Sequence, residues 1–143
     1  MPWCGDGAVV KLGAGQGDVV LAKPVHKILL FMKRRPGMSV VAFRDYYENH
    51  HAPLCAKYSS GVSRYVRRFL TPHRNPETGA ADELAFDVIT ELWFEDEAVF
   101  RGTVHYLSTA IMPDEVVEDE GRLFDRAKTR MATVVECESS LPG

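Results

Sequence analysis

The sequence predicts an α+β chain, and two observations carry that expectation. Four β-prone apolar runs fall at residues 25–32, 63–71, 85–94 and 131–136. Two stretches of helical spacing, opened by Ser39 and by Asp96, follow the first and third of those runs. The order strand, helix, strand, strand, helix, strand folds as two βαβ halves into a four-stranded antiparallel sheet with helices on one face, the ferredoxin-like arrangement. The uncovered face of such a sheet needs a cover, and a second copy of the chain is the natural one, so a homodimer is expected.

Taken in order, residues 1–24 read as a glycine-rich N-terminal extension with Gly5, Gly7, Gly13, Gly15 and Gly17. Gly13-Ala14-Gly15-Gln16-Gly17 is not a phosphate loop: no Gly-Lys-Ser/Thr follows and Pro24 blocks a helix. Val9-Val10 and Val19-Val20-Leu21 have the composition of a short hairpin. The folded domain spans residues 25–137, and 138–143 are a tail. After the first strand, Lys33-Arg34-Arg35-Pro36-Gly37 is a basic turn, either solvated or anion-binding. Phe43, Tyr47, His50 and Leu54 then share helical spacing, with a kink or restart expected near His51 because Pro53 lacks a backbone N–H. This helix should end near Ser60-Gly61. On the third strand Phe86, Val88, Thr90, Leu92 and Phe94 alternate with Asp87, Ile89, Glu91 and Trp93, which leaves open which face the carboxylates line. Phe100, Val104, Leu107 and Ile111 form the buried stripe of the second long helix, with His105 opposite. The acidic run 114–120 reads as a third short helix anchored by Leu123 and Phe124.

Length and composition bound the function. With 143 residues, 45% of them hydrophobic and 26% charged, the chain is one globular domain with tails. A net charge of −3 without a basic block argues against nucleic acid. No apolar run reaches the ~18 residues that cross a bilayer, and the N-terminus lacks the pattern of a signal peptide, so a cytoplasmic protein is expected. Cys4, Cys55 and Cys137 form neither a disulfide framework nor a zinc motif. Cys55 follows His51 by four residues on the same helix face, a spacing that a nucleophile pair can use but that far more often holds an inert buried thiol.

The chemistry concentrates in Tyr46-Tyr47-Glu48-Asn49-His50-His51-Ala52-Pro53. Tyr46 and His50 share one helix face, and so do Tyr47 and His51. Any one of these has an ordinary meaning as a half-buried side chain with a satisfied polar tip. Four converging beside a proline point to a pocket wall able to move protons near neutral pH. Adjacent histidines point apart, so His50, His51 and Glu48 are not a metal set, and neither metal nor organic cofactor is expected.

The segments 33–39, 43–54, 86–94 and 118–125 together resemble the motifs of EthD-domain proteins. The resemblance implies a dimeric α+β barrel with a pocket between sheet and helices in each subunit. His51 matches the histidine of the family's His-x-Pro motif, and Asp87, Glu91 and Asp119 match recurrent acidic positions; His50 is less typical of it. Relatives in that superfamily include cofactor-free monooxygenases, isomerases, haem-containing dehydratases and polyketide cyclases. With this set the leading expectation is a cofactor-independent lyase, of elimination, dehydratase or cyclase type, acting on a phenolic or polyketide-like aromatic compound. Its catalytic candidates are His51, His50, Tyr47, Glu91 and Asp87, with Tyr46, Trp93, Phe69 and Asp119 against the substrate. The alternatives are a cofactor-free monooxygenase on a phenolic substrate and a non-catalytic small-molecule-binding accessory protein.

Overall fold

A computed structural model describes residues 9–11 and 19–143, with side chains from residue 25 onward. The glycines at positions 5, 7, 13, 15 and 17, and Cys4, lie outside the described residues. Strands β1 (Val9–Lys11), β2 (Val19–Met32), β3 (Arg64–Phe69), β4 (Val88–Trp93) and β5 (Arg130–Ser139) are joined by helices α1 (Val40–Tyr46), α2 (Ala52–Ala56), α3 (Glu97–Thr109) and α4 (Asp114–Gly121). Every pairing is antiparallel, and the four core strands run β5-β2-β4-β3, the ferredoxin-like order. The first strand is longer than expected: β2 begins at Val19, pairs with β1 through Val10 and Val20, and runs beside β5 as far back as Val20. Among the described residues no helix is long and apolar enough to cross a membrane.

The pleat sorts the side chains. Leu30 pairs with Thr90 and Ile28 with Leu92, so Ile28, Leu30, Met32, Val88, Thr90 and Leu92 share the helix-covered face. Lys27, Leu29, Phe31, Ile89, Glu91 and Trp93 point the other way, and among the described residues no layer covers them. On the covered side Met32, Phe43, Tyr47, Val88, Leu123 and Phe124 close into one buried cluster. Phe43 is its hub, meeting Tyr47, Phe69 and Phe124 edge to face at 5.9–6.3 Å between ring centroids.

Both predicted caps form: the Ala42 N–H donates to Ser39 Oγ (3.1 Å), and the Val99 N–H donates to Asp96 Oδ1 (3.0 Å). The basic turn is tied to the far end of the domain. Arg35 N–H donates to the Leu123 carbonyl and Asp125 N–H to the Lys33 carbonyl, both at 2.9 Å. This lacing holds the end of α4 against the start of α1. Gly61 lies in a turn at φ +83°, where a Cβ would come within 2.6 Å of Val99 Cγ1, so only glycine lets the chain pass beneath α3.

Helix α3 departs from expectation. It ends at Thr109, no residue in it is fully buried, and Ile111 lies beyond it with 83% of its surface exposed. The reason is geometric: α3 roofs a cavity instead of packing flat on the sheet, so its inner face has little to press against.

The hub sets a stability test. Phe43→Ala should cost about 3–5 kcal/mol of unfolding free energy, whereas Val41→Ala, on the 71% exposed outer side of the same helix, should stay within about 0.5 kcal/mol. Equal costs in denaturant titrations would contradict this core.

Candidate active site

The site is built around a break in a helix. After α1 the backbone widens into a π-helical turn, Tyr47–His51, in which the Ala52 N–H reaches back five residues to the Tyr47 carbonyl. Pro53 is the cause. It has no N–H to give an α-helical partner, so the helix opens and restarts as α2 with Pro53 in its first turn, where that N–H is not needed. The kink expected near His51 therefore takes the form of one widened turn. It leaves Tyr47, His51 and Cys55 all lining a cavity of about 630 Å³ between the sheet, α2, α3 and α4.

His51 is held on every side. Its ring stands perpendicular to Tyr47 (centroids 5.1 Å, 85°) and to Phe124 (5.2 Å, 89°), and only 3% of the residue is exposed. Nδ1 lies 2.8 Å from Asp119 Oδ2. Asp119, on α4 and 5% exposed, also accepts from the Tyr46 hydroxyl at 2.5 Å and sits 3.6 Å from the Arg122 guanidinium. Burial pushes the Asp119 carboxyl up, but Tyr46, His51 and Arg122 together pull it further down, so it ends below its ordinary 3.8. An ionised carboxylate only accepts, so His51 Nδ1 donates, and in the neutral ring Nε2 is left as the acceptor. Cys55 Sγ is 3.3 Å from that Nε2.

A second polar group closes the sheet side. Tyr47 Oη lies 2.5 Å from Thr90 Oγ1 and 3.4 Å from Tyr65 Oη. Burial, ahead of every other influence, pushes the Tyr47 hydroxyl up to about 12 and raises Tyr65 as well, so both are neutral donors at physiological pH. Glu120 and Arg126 line the cavity from the α4 side, 3.5 Å apart. Burial raises the Glu120 carboxyl against the pull of Arg126 and His51.

The structure thus brings His51, Tyr47, Tyr46 and Asp119 together, with the first two on the cavity wall and the other two behind His51. Other candidates fall elsewhere. His50 is exposed and stacks on Tyr46 at 4.8 Å, outside the cavity. Glu91 and Trp93 lie on the opposite sheet face, where Glu91 pairs with Lys27 (3.4 Å) and Arg68 and accepts from Trp93 Nε1 (3.0 Å). Asp87 accepts from the Arg34 backbone N–H (2.8 Å) and faces Lys33 (3.3 Å), pinning the basic turn. Phe69 packs behind Tyr47 at 5.7 Å. The carboxylate that orients the imidazole is Asp119, not Glu91 or Asp87: strand alternation sends Glu91 to the face opposite Thr90, and Asp87 is consumed by the turn. Tyr65, Thr90, Glu120 and Arg126 were not singled out by sequence. Glu120 alone had a signal, as the neighbour of Asp119 in the acidic motif. Among the described residues no group of three or more His, Cys, Asp or Glu is placed to hold a metal ion.

The family model for the EthD domain matches residues 35–127, more than half of the chain. The chain belongs to the EthD-domain family. Among solved structures, this EthD domain is similar to an ethyl tert-butyl ether D (EthD) family protein from Bacillus halodurans C-125. Identity there is 20%, coverage 76% of this chain and 97% of the other, and the TM-score 0.44. It is similar too to an EthD-like protein from Ralstonia eutropha JMP134, at 16% identity, 78% and 87% coverage and a TM-score of 0.44. No curated protein matches it.

The depressed Asp119 carboxyl gives a pH test. A folded-state value below the unfolded one contributes stability that is present above the unfolded value and is lost as pH falls through the folded one. The stability gap between the natural chain and Asp119→Asn should therefore be widest at pH 6 and shrink steadily below 3.8. A gap that stays constant from pH 6 to pH 3 would contradict the ion-paired site.

Proposed function

We propose that this EthD-domain protein is a cofactor-independent lyase, of the elimination, dehydratase or cyclase type, acting by acid–base catalysis on a phenolic or polyketide-like aromatic compound. The observation that carries the reading is His51: a clamped imidazole on the cavity wall whose Nδ1 is committed to Asp119 and whose Nε2, 3.3 Å from Cys55 Sγ, is left as the acceptor. That orientation is what a general base needs. Nε2 takes a proton from carbon or from a ring hydroxyl, and Asp119 stabilises the imidazolium that forms. The Tyr47, Tyr65 and Thr90 hydroxyls, neutral and close together, suit a substrate carbonyl or phenol oxygen as charge builds on it. Glu120, raised by burial, is placed to return a proton to the leaving oxygen. About 630 Å³ lies within the usual range for small-molecule sites and suits a ligand of two or three fused rings.

His51→Gln keeps volume and hydrogen bonding but carries no proton at neutral pH. Against hydroxylated aromatic ketones, turnover by a folded His51→Gln protein should fall by roughly 10²-fold or more. Turnover by the natural chain should continue in oxygen-free buffer. Full activity of the variant, or a strict oxygen requirement, would overturn the reading.

The reading includes a homodimer. The uncovered sheet face sets half-buried Leu29, Phe31, Val66, Ile89 and Trp93 around the ion pairs of Glu91, an apolar surface with a charged centre that a second sheet would cover. Sedimentation at micromolar concentration should give twice the 16.0 kDa chain mass, and a single monomeric species would contradict it.

A further inference from the structure

We propose that Cys55 is a nucleophilic thiol of this cavity, placed to add to an electrophilic ligand of the α,β-unsaturated carbonyl or quinone class. Two facts converge on its sulfur. Sγ lies 3.3 Å from His51 Nε2, the nitrogen that Asp119 leaves free by holding Nδ1 at 2.8 Å. The thiol lines the cavity and is only partly buried, so a ligand there can meet it. An inert structural cysteine sits among aliphatic side chains; this one stands beside a base oriented by a carboxylate, which is the geometry of an activated nucleophile.

The acid–base reading gives the thiol no part. Burial first, and then the Glu120 carboxylate, push Cys55 up to about 11, so the resting group is the protonated thiol. Its reactivity must therefore run through His51. In the addition, the sulfur lone pair forms a bond to the β-carbon while the S–H proton passes to His51 Nε2. The displaced π pair moves to the carbonyl oxygen as an enolate, near the Tyr65 and Tyr47 hydroxyls. The imidazolium then returns its proton to the α-carbon. The sum is addition of S–H across the double bond, with no outside oxidant or reductant.

The test uses the full chain carrying Cys4→Ser and Cys137→Ser, exposed to N-ethylmaleimide or 2-cyclohexen-1-one and followed by intact mass. One adduct should form on Cys55 within tenfold of the glutathione rate under the same conditions. It should form roughly 10²-fold more slowly, or slower still, in His51→Gln. With no base, a thiol moved from 9.0 to about 11 has roughly a hundredth of the ordinary thiolate fraction. A rate more than tenfold below glutathione in this chain, with His51 intact, overturns the proposal, and this comparison does not depend on any His51 variant folding. An unchanged rate in a folded His51→Gln protein overturns it equally.

Discussion

One hydrogen bond organises the covered side of this domain: His51 Nδ1 to Asp119, joining positions 68 residues apart in the buried interior. Neither partner is tolerable there alone. A buried carboxylate without donors, or a buried imidazole without an acceptor, costs more than the net value of a typical hydrogen bond. Asp119 resolves this with two donors, Tyr46 and His51, and with the Arg122 guanidinium 3.6 Å away. The rest of the covered side serves that meeting. The basic turn laces to Leu123 and Asp125 and so sets where α4 lies, and the edge-to-face packing of Phe124 and Tyr47 fixes the plane of the imidazole.

Backbone chemistry supplies the other half of the placement. A continuous α-helix through residues 40–56 cannot exist with Pro53 inside it, and the widened Tyr47–His51 turn is the local answer. The result is a cavity wall carrying a phenol, an imidazole and a thiol in succession along one face. The sheet keeps its two buried charge groups apart. Lys27, Glu91 and Arg68 neutralise one another on the uncovered face, while the groups with titrations pushed apart, Asp119 down and Glu120 up, sit on the cavity side. Neighbouring carboxyls driven in opposite directions are the usual basis for dividing acid and base roles.

The architecture was legible because each element carried its own local cause. Alternation gave the strands, Ser39 and Asp96 the helix starts, and Pro53 the break. Spacing made the site legible only where its residues lie close in sequence: Tyr47, His51 and Cys55 share one segment and one face, whereas Asp119 was reached through the family resemblance. Contacts between distant segments were not legible. Nothing in the composition of the third strand says that Glu91 faces away from His51, because a strand with polar residues on both faces reads the same either way until a helix covers one of them. Nor does an acidic run say which of its members turns inward; Asp119 does so because the lacing of the basic turn fixes the rotation of α4. The stripe on α3 misled for a physical reason, since an apolar face over a cavity has the same sequence pattern as one over a packed sheet.

The central claim is the state of the His51 ring, and ¹⁵N chemical shifts of its two nitrogens report it most directly. The account predicts a neutral ring at high pH with the proton on Nδ1 and a bare Nε2, and loss of that preference in Asp119→Asn. A proton on Nε2 in the natural protein, with Nδ1 bare, would contradict it.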